Sequence, residues 1–327
     1  MTTFIVALIV GFALLIWSAD RFVIGAAGLA RNLGVAPIII GLTIVGFGTS
    51  APEMLVSAFA AAQGNPSLAV GNAIGSNIAN IALILGATAL LRPLQVRSQT
   101  LRRELPLLLL IMVAAGLLMI DGWLGRIDGV LLLVGLGVLM SWLVRTGLSA
   151  PAADPMEAEF EAEIPSGLTT GRAVLWLAVG LILLLISSRA LVWGAVGIAE
   201  ALGVSDLIIG LTIVAIGTSL PELAASIMST LKNEADIAIG NIIGSNMFNI
   251  LGVLALPGLI APSALPGIAL TRDYPIMLGL TIALFVMSYG FRGPGRINRI
   301  EGGLLLAAFV GYQVLLYLHT IGGEAPA

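Results

Sequence analysis

Two glutamates stand where glutamates are rare. Glu53 and Glu222 lie in matching segments, Gly48-Thr49-Ser50-Ala51-Pro52-Glu53 and Gly217-Thr218-Ser219-Leu220-Pro221-Glu222, inside otherwise apolar stretches. An ionised group near mid-membrane costs several kcal/mol unless a partner or water compensates it, and no basic residue lies on either stretch at that depth. The most economical partner is a bound cation. Thr49, Glu53 and Ser57 follow at helical spacing i, i+4 and i+8, as do Thr218, Glu222 and Ser226, so hydroxyls are expected to flank each carboxylate. The stretches that follow offer Asn72, Ser76 and Asn80, and Asn241, Ser245 and Asn249, again at spacing four. A proline inside a helix lacks its own N–H and clashes with the carbonyl four residues back, which leaves the oxygens of Gly48 and Gly217 open to a ligand. Together these are oxygen donors with two negative charges. That set suits a hard cation, and calcium, which accepts six to eight flexible oxygens, fits it better than magnesium, zinc or copper.

The elements that must position these residues are membrane helices. The 327 residues are 58% hydrophobic and 10% charged, with a mean hydropathy of +1.07, and long apolar stretches recur from end to end. The chain has no cysteine and one histidine, His319, so thiolate and multi-histidine metal sites are excluded. A hydrolase built on Ser50 or Ser219 lacks a base, and no catalytic residue, cofactor or nucleic-acid partner is expected. Charged and Gly/Pro-rich breaks predict ten helices, near residues 4–26, 36–62, 67–91, 104–120, 124–146, 172–197, 205–231, 236–260, 273–290 and 299–319. The first reads as a span and not as a cleaved signal. Trp123, Trp142, Trp176 and Trp193 fall near span ends, where they suit the headgroup layer. Asp20 is expected to serve solvation beside Arg21.

The chain repeats itself. Residues 41–86 and 210–255 align without a gap at an offset of 169, with 21 identities in 46 positions. Arg103, Glu104 and Pro106 meet Arg272, Asp273 and Pro275 at the same offset. Five helices per half is an odd number, so the halves enter the membrane from opposite sides as inverted repeats: 1–146, an acidic cytoplasmic linker 147–171, and 172–327. With both termini outside, Arg31, Arg92, Arg97, Arg102, Arg103, Arg145, Arg172, Lys232, Arg292, Arg296 and Arg299 become cytoplasmic, in keeping with the positive-inside bias. The fold expected is an all-α integral membrane protein of ten helices in two inverted five-helix repeats, with helices 2 and 7 broken at Pro52 and Pro221. Crossing the broken helices at a pseudo-twofold axis brings Glu53 and Glu222 together. Gly71–Gly75 and Gly240–Gly244 read as helix-packing GxxxG pairs, and Asn77 and Asn246, displaced from the stripe, as structural. The acidic linker, with Asp154, Glu157, Glu159, Glu161 and Glu163, reads as solvated.

The G-T-S-x-P-E and G-N-x-x-G-S-N-x-x-N motifs, each present twice and in order, resemble the two α-repeats of the calcium:cation antiporter superfamily, in particular its sodium/calcium exchangers of prokaryotic type. The resemblance extends to the ten-helix count over essentially the whole chain. It implies antiport of Ca²⁺ against Na⁺ across a cell membrane, with the lipid bilayer as surroundings. It implies calcium coordination by Glu53 and Glu222 with Thr49 and Thr218, and sodium sites using Ser50, Ser219, Ser76 and Ser245, with Asn80 and Asn249 at the centre. Some relatives carry aspartate where Asn249 stands, which leaves potassium co-transport and stoichiometry open. Proton-coupled relatives carry a motif closer to G-N-x-x-E, where this chain has Gly75 and Gly244, which disfavours proton exchange. It remains the alternative all the same, because two adjacent carboxylates disfavour each other's ionisation and the pair can take up a proton. A channel is the remote alternative, and helices 1 and 6 are the candidates for a moving gate.

Overall fold

A computed structural model describes residues 1–35, 39–148, 161, 167–289 and 295–321. Residues 149–160 and 162–166 of the expected acidic linker, and Arg292, lie outside them. Among the described residues seven helices are long and apolar enough to cross a membrane, or up to nine if each of two bent pairs counts as one span. In chain order the helical segments are α1 (Thr2–Asn32), the bent pair α2 (Thr43–Thr49) and α3 (Ala51–Ala62), α4 (Pro66–Leu91), α5 (Gln99–Leu118) and α6 (Arg126–Leu148). There follow α7 (Thr170–Leu202), the bent pair α8 (Asp206–Thr218) and α9 (Leu220–Leu231), α10 (Ala235–Ile260), α11 (Ala269–Tyr289) and α12 (Arg299–Ile321).

Burial sorts these helices into centre and periphery. The most apolar stretches of α4 and α10 are 78% and 83% buried, against 22–28% for the other five long spans, so α4 and α10 form the heart of the molecule while the rest present apolar surface to lipid. Ile74, Ile78, Ile81, Ile242, Met247 and Phe248, all at most 1% exposed, fill that centre. α1 and α7 lie against each other along their length, and small residues let their backbones meet. A Cβ on Gly25 would fall 2.7 Å from Ala173 O, and one on Gly180 2.5 Å from Phe22 N.

The expected breaks are present and nearly identical. The chain bends by 46° between α2 and α3 and by 41° between α8 and α9. The hinge residues Ser50 (φ −84°, ψ 0°) and Ser219 (φ −85°, ψ 6°) leave the helical range, and Pro52 and Pro221 then sit in the first turn of the next helix, where a missing N–H costs nothing.

Three features go beyond the sequence reading. Wide π turns run through Ile40–Val45 and Gly210–Val214, and again through Ala79–Leu85 and Asn249–Val253, the same places in both copies. Two short antiparallel ribbons tie loops together, Leu94–Val96 (β1) with Gly295–Ile297 (β4), and Trp123–Leu124 (β2) with Ser263–Ala264 (β3), so the described fold is mostly rather than purely helical. Several helices outrun their expected ends: α1 stops only before Gly34 (φ 83°) and α7 at Gly203 (φ 65°), glycines in the left-handed region, and not at the nearest charge.

Candidate functional site

The broken helices and the central pair α4 and α10 converge on one buried polar cluster. Glu53, Glu222, Ser50, Ser219, Thr49, Thr218, Ser76, Ser245, Asn80 and Asn249 are all there, none more than 6% exposed. Glu53 and Glu222 are near enough for their charges to repel, and among the described residues no arginine or lysine acts on either.

The partners cross between the copies. Ser219 Oγ donates to Glu53 Oε1 at 3.4 Å, and Thr218 lies within hydrogen-bonding reach of the same carboxylate. Ser245 Oγ donates to Glu222 Oε1 at 3.2 Å, and Thr49, from the first copy, reaches that carboxylate. Thr49 Oγ1 lies 3.4 Å from Ser245 Oγ, and Thr218 Oγ1 3.5 Å from Ser76 Oγ. Sequence spacing put Thr49 beside Glu53 and Thr218 beside Glu222. The bend that follows each threonine instead turns its hydroxyl toward the other copy's glutamate. Ser57 is likewise drawn off: Asn72 Nδ2 donates to Ser57 Oγ at 2.9 Å and to Glu53 O at 3.1 Å, while its Oδ1 accepts from Thr218 Oγ1 at 3.2 Å. Asn241 Oδ1 accepts from Thr49 Oγ1 at 3.3 Å. Asn72 and Asn241 thus position the threonines.

Asn80 is the second residue of one π turn and Asn249 the first of another, so both stand where the helix departs from its regular period. Asn80 Nδ2 donates across the copies to Asn246 Oδ1 at 3.0 Å. The reading of Asn246 as merely structural is therefore incomplete, since it orients a central residue of the cluster. Only distance in space, not spacing along the helix, reveals the pair. Asn77, by contrast, bonds its own helix through Ala73 O at 2.8 Å, as a structural residue does.

Gly48 and Gly217 sit at the breaks, but their oxygens are not wholly free: Ser50 N–H turns to Gly48 O, and Ser219 N–H to Ala215 O and Gly217 O. Each glycine oxygen keeps a second lone pair. Their missing side chains have a further reason, because Val23 of α1 fills the space beside Gly48 and the Phe12 ring that beside Gly217. α1 therefore rests directly on both hinges.

The cluster holds buried polar atoms without partners. Glu53 Oε2, Glu222 Oε2, Ser50 Oγ, Asn80 Oδ1 and both polar atoms of Asn249 are buried with no hydrogen-bond partner. Buried polar atoms are normally satisfied, and an orphaned carboxylate oxygen costs more than a neutral one. Five of these atoms are oxygens and two of the five belong to carboxylates, a set that favours a cation, while Nδ2 of Asn241, Asn246 and Asn249 are donors also left without a partner. Asp20 and Arg21, 3.7 Å apart and partly exposed, pair away from the cluster as expected.

Comparison with known proteins bears on the family of the chain. Residues 3–145 and 172–318 match the family described as sodium/calcium exchanger protein. CaxA of Alkalimonas amylolytica is 54% identical over 309 residues, covering 94% of this chain and 97% of that protein. The sodium/calcium exchanger MaX1 of Methanosarcina acetivorans is 30% identical over 344 residues, covering 95% and 97%. A solved structure of the sodium-calcium exchanger NCX_Mj, soaked with Na⁺ and Sr²⁺, superposes with a TM-score of 0.68 at 32% identity, covering 95% of this chain and 98% of that one. The chain belongs to the sodium/calcium exchanger family of membrane antiporters.

Proposed function

We propose that the protein exchanges Ca²⁺ against Na⁺ by alternating access, with calcium held between Glu53 and Glu222 and completed by Thr49 and Thr218. Ser50, Ser219, Ser76 and Ser245 serve sodium, Asn80 and Asn249 lie between the ions, and Gly48 and Gly217 lend backbone oxygens. The observation that carries this reading is the pair of buried glutamates, each with one carboxylate oxygen unpartnered and the other held by hydroxyls, with no cation of the protein's own in contact among the described residues. Two carboxylates balance one Ca²⁺. Sharing the same oxygens between rival ions leaves the empty, doubly charged site reluctant to cross, and this couples the fluxes.

The architecture proposed is ten spans in two inverted halves, 1–146 and 172–327, counting each bent pair as one span and adding α5. The ribbons support this count: β1 with β4, and β2 with β3, join loops that ten spans place on the same membrane face. The loop arginines then put both termini outside the cell membrane and the linker 147–171 in the cytoplasm.

A second reading, Ca²⁺/H⁺ exchange, is favoured by the closeness of the two carboxylates, which can share one proton once the metal leaves. ⁴⁵Ca²⁺ uptake into proteoliposomes decides between them. An outward sodium gradient is expected to drive uptake that Glu53→Gln and Glu222→Gln abolish. Uptake driven only by an outward proton gradient moves the protein to the second reading, calcium leak without a counter-ion makes it a channel, and full activity in both variants removes the site.

A further inference from the structure

Away from the ion cluster, a second polar cavity lies where β1 meets the turn between α9 and α10. It holds about 100 Å³, room for several waters or for one tetrahedral oxyanion, and its wall includes Arg92, Gln95, Arg97, Thr230, Asn233 and Asp236. In the orientation argued above it lies on the cytoplasmic face.

The wall is fixed in place. Asp236, 1% exposed, accepts through Oδ1 from the backbone N–H of Arg97 at 2.8 Å and of Ser98 at 3.1 Å, which ties the end of the ribbon to the start of α10. Gln95 Oε1 accepts from Arg97 Nε at 3.0 Å and Nη2 at 2.6 Å, so that guanidinium is oriented before any ligand arrives. Thr230 is 1% exposed, and its Oγ1 has no hydrogen-bond partner although the residue lines a polar space. A buried hydroxyl left unpaired is costly, and a group that accepts from it would remove that cost. Ala235, the first residue of α10, lies in the same wall, so the positive end of that helix borders the cavity.

The other copy of the repeat shows that the fold does not demand these side chains. At the offset of 169, Arg92, Gln95 and Arg97 correspond to Ala261, Ala264 and Pro266, while Thr230, Asn233 and Asp236 correspond to Ala61, Gly64 and Ser67. The backbone of the turn is kept, with Asn233 at φ 73° where Gly64 stands at φ 84°. None of the charge is kept. Two guanidiniums against one carboxylate leave the cavity positive, and the planar guanidinium fork matches the oxygens of a phosphate group. The donors come from β1 on one side and the end of α9 on the other, which suits a tetrahedral group better than a planar carboxylate.

We propose that this cavity binds a phosphate group, carried by an anionic lipid headgroup or by free phosphate, with Arg92 and Arg97 pairing its charge and Thr230 donating its hydroxyl.

The chain has no cysteine, so a single fluorophore on Leu91→Cys, at an exposed position beside Arg92, reports on the cavity in the full-length protein. In detergent and calcium-free buffer, inorganic phosphate added as its N-methylglucamine salt is one arm, with chloride at equal ionic strength as its control. Nanodiscs of phosphatidylcholine with increasing phosphatidylglycerol are the other. A saturable change is expected in at least one arm: with phosphate alone the ligand is free phosphate, with phosphatidylglycerol alone it is the headgroup, and with both it is the shared group. Arg92→Gln and Arg97→Gln are each expected to raise the half-saturating concentration on the order of tenfold, the effect of one lost charge-assisted bond, and the near-isosteric Thr230→Val several-fold. Arg296→Gln, on the same ribbon but outside the cavity wall, is expected to change it by less than about twofold. A response equalled by chloride, absent from both arms, indifferent to the cavity variants, or weakened as much by Arg296→Gln as by Arg92→Gln overturns the proposal. The fluorescence needs no transport, so this site and the exchange of calcium can fail separately.

Discussion

Replacing Glu53 by glutamine should move binding and stability in opposite directions. The change is nearly isosteric and keeps an acceptor for Ser219, which lies at 3.4 Å, so packing is preserved. In the ion-free protein it removes one of two repelling, fully buried carboxylates, and the empty form is expected to gain stability. In the calcium-bound form the ion loses a charged ligand in a buried site, a loss of about 3–5 kcal/mol, which corresponds to roughly two to three and a half decades in affinity. At a calcium concentration 100 times the wild-type Kd, binding stabilises the wild type by about 2.7 kcal/mol. With affinity down by even two decades, the same calcium contributes only about 0.4 kcal/mol.

The assay is thermal unfolding of purified protein in detergent, with and without calcium, alongside calcium titration. The wild type should show a large calcium-dependent rise in melting temperature. Glu53→Gln should melt higher than the wild type without calcium and shift little on adding it. Glu222→Gln should behave alike, because its carboxylate is as deeply buried and has one oxygen held by a hydroxyl, that of Ser245, and one without a partner. A variant that melts lower without calcium yet keeps the full calcium shift would refute the reasoning, since Glu53 would then be a structural hydrogen-bonding residue and not an ion ligand.

Acidification should weaken calcium binding, because protons occupy the pair as metal competitors, and Glu53→Gln should flatten the dependence of Kd on pH by leaving a single site for the proton; calcium titration across pH reads both. Thr218→Ala strands the buried Asn72 Oδ1, which now accepts at 3.2 Å, and should cost about 1–3 kcal/mol in stability as well as calcium affinity; a melting curve indistinguishable from wild type would contradict it. Pro52→Ala restores the missing N–H and lets α2 and α3 straighten from 46°, so transport should fall with little loss of melting temperature. Asp273→Asn leaves Arg272, whose side chain is 10% exposed, without its charge partner, and should destabilise by about 3 kcal/mol while sparing calcium affinity in the protein that still folds.

What could be read along the chain was chemistry tied to one helix. A proline beside a glutamate in an apolar stretch announces both a break and a charge in need of a partner, and the copies at an offset of 169 doubled the signal. The bend angles, the hinge serines and the convergence of Glu53 with Glu222 all follow from that. Spacing failed where the helix departs from 3.6 residues per turn. The π turns at Ala79–Leu85 and Asn249–Val253 contain no proline and no charge, so periodicity carries no warning of them, although they set Asn80 and Asn249 and permit the bond between Asn80 and Asn246. Cutting helices at charged residues also placed the start of α5 near 104 instead of Gln99, because Arg102 and Arg103 reach the interface from within the helix.

The GxxxG pairs make the same point in a form that bears on mechanism. Sequence assigns Gly71–Gly75 and Gly240–Gly244 one role, helix packing, and for the first pair the structure agrees, with α8 in backbone contact. The second pair has the same residues at the same spacing, yet Gly244 faces open space. If each glycine face is built to receive the opposite copy's broken helix, a rigid molecule would close both. Glu53 and Glu222 are nonetheless fully buried in this structure. Identical glycines at identical spacing thus meet unlike neighbours, because the contact is decided as much by the segment that arrives, Leu207, Leu211 and Ala215 at Gly71 and Gly75, as by the glycines themselves.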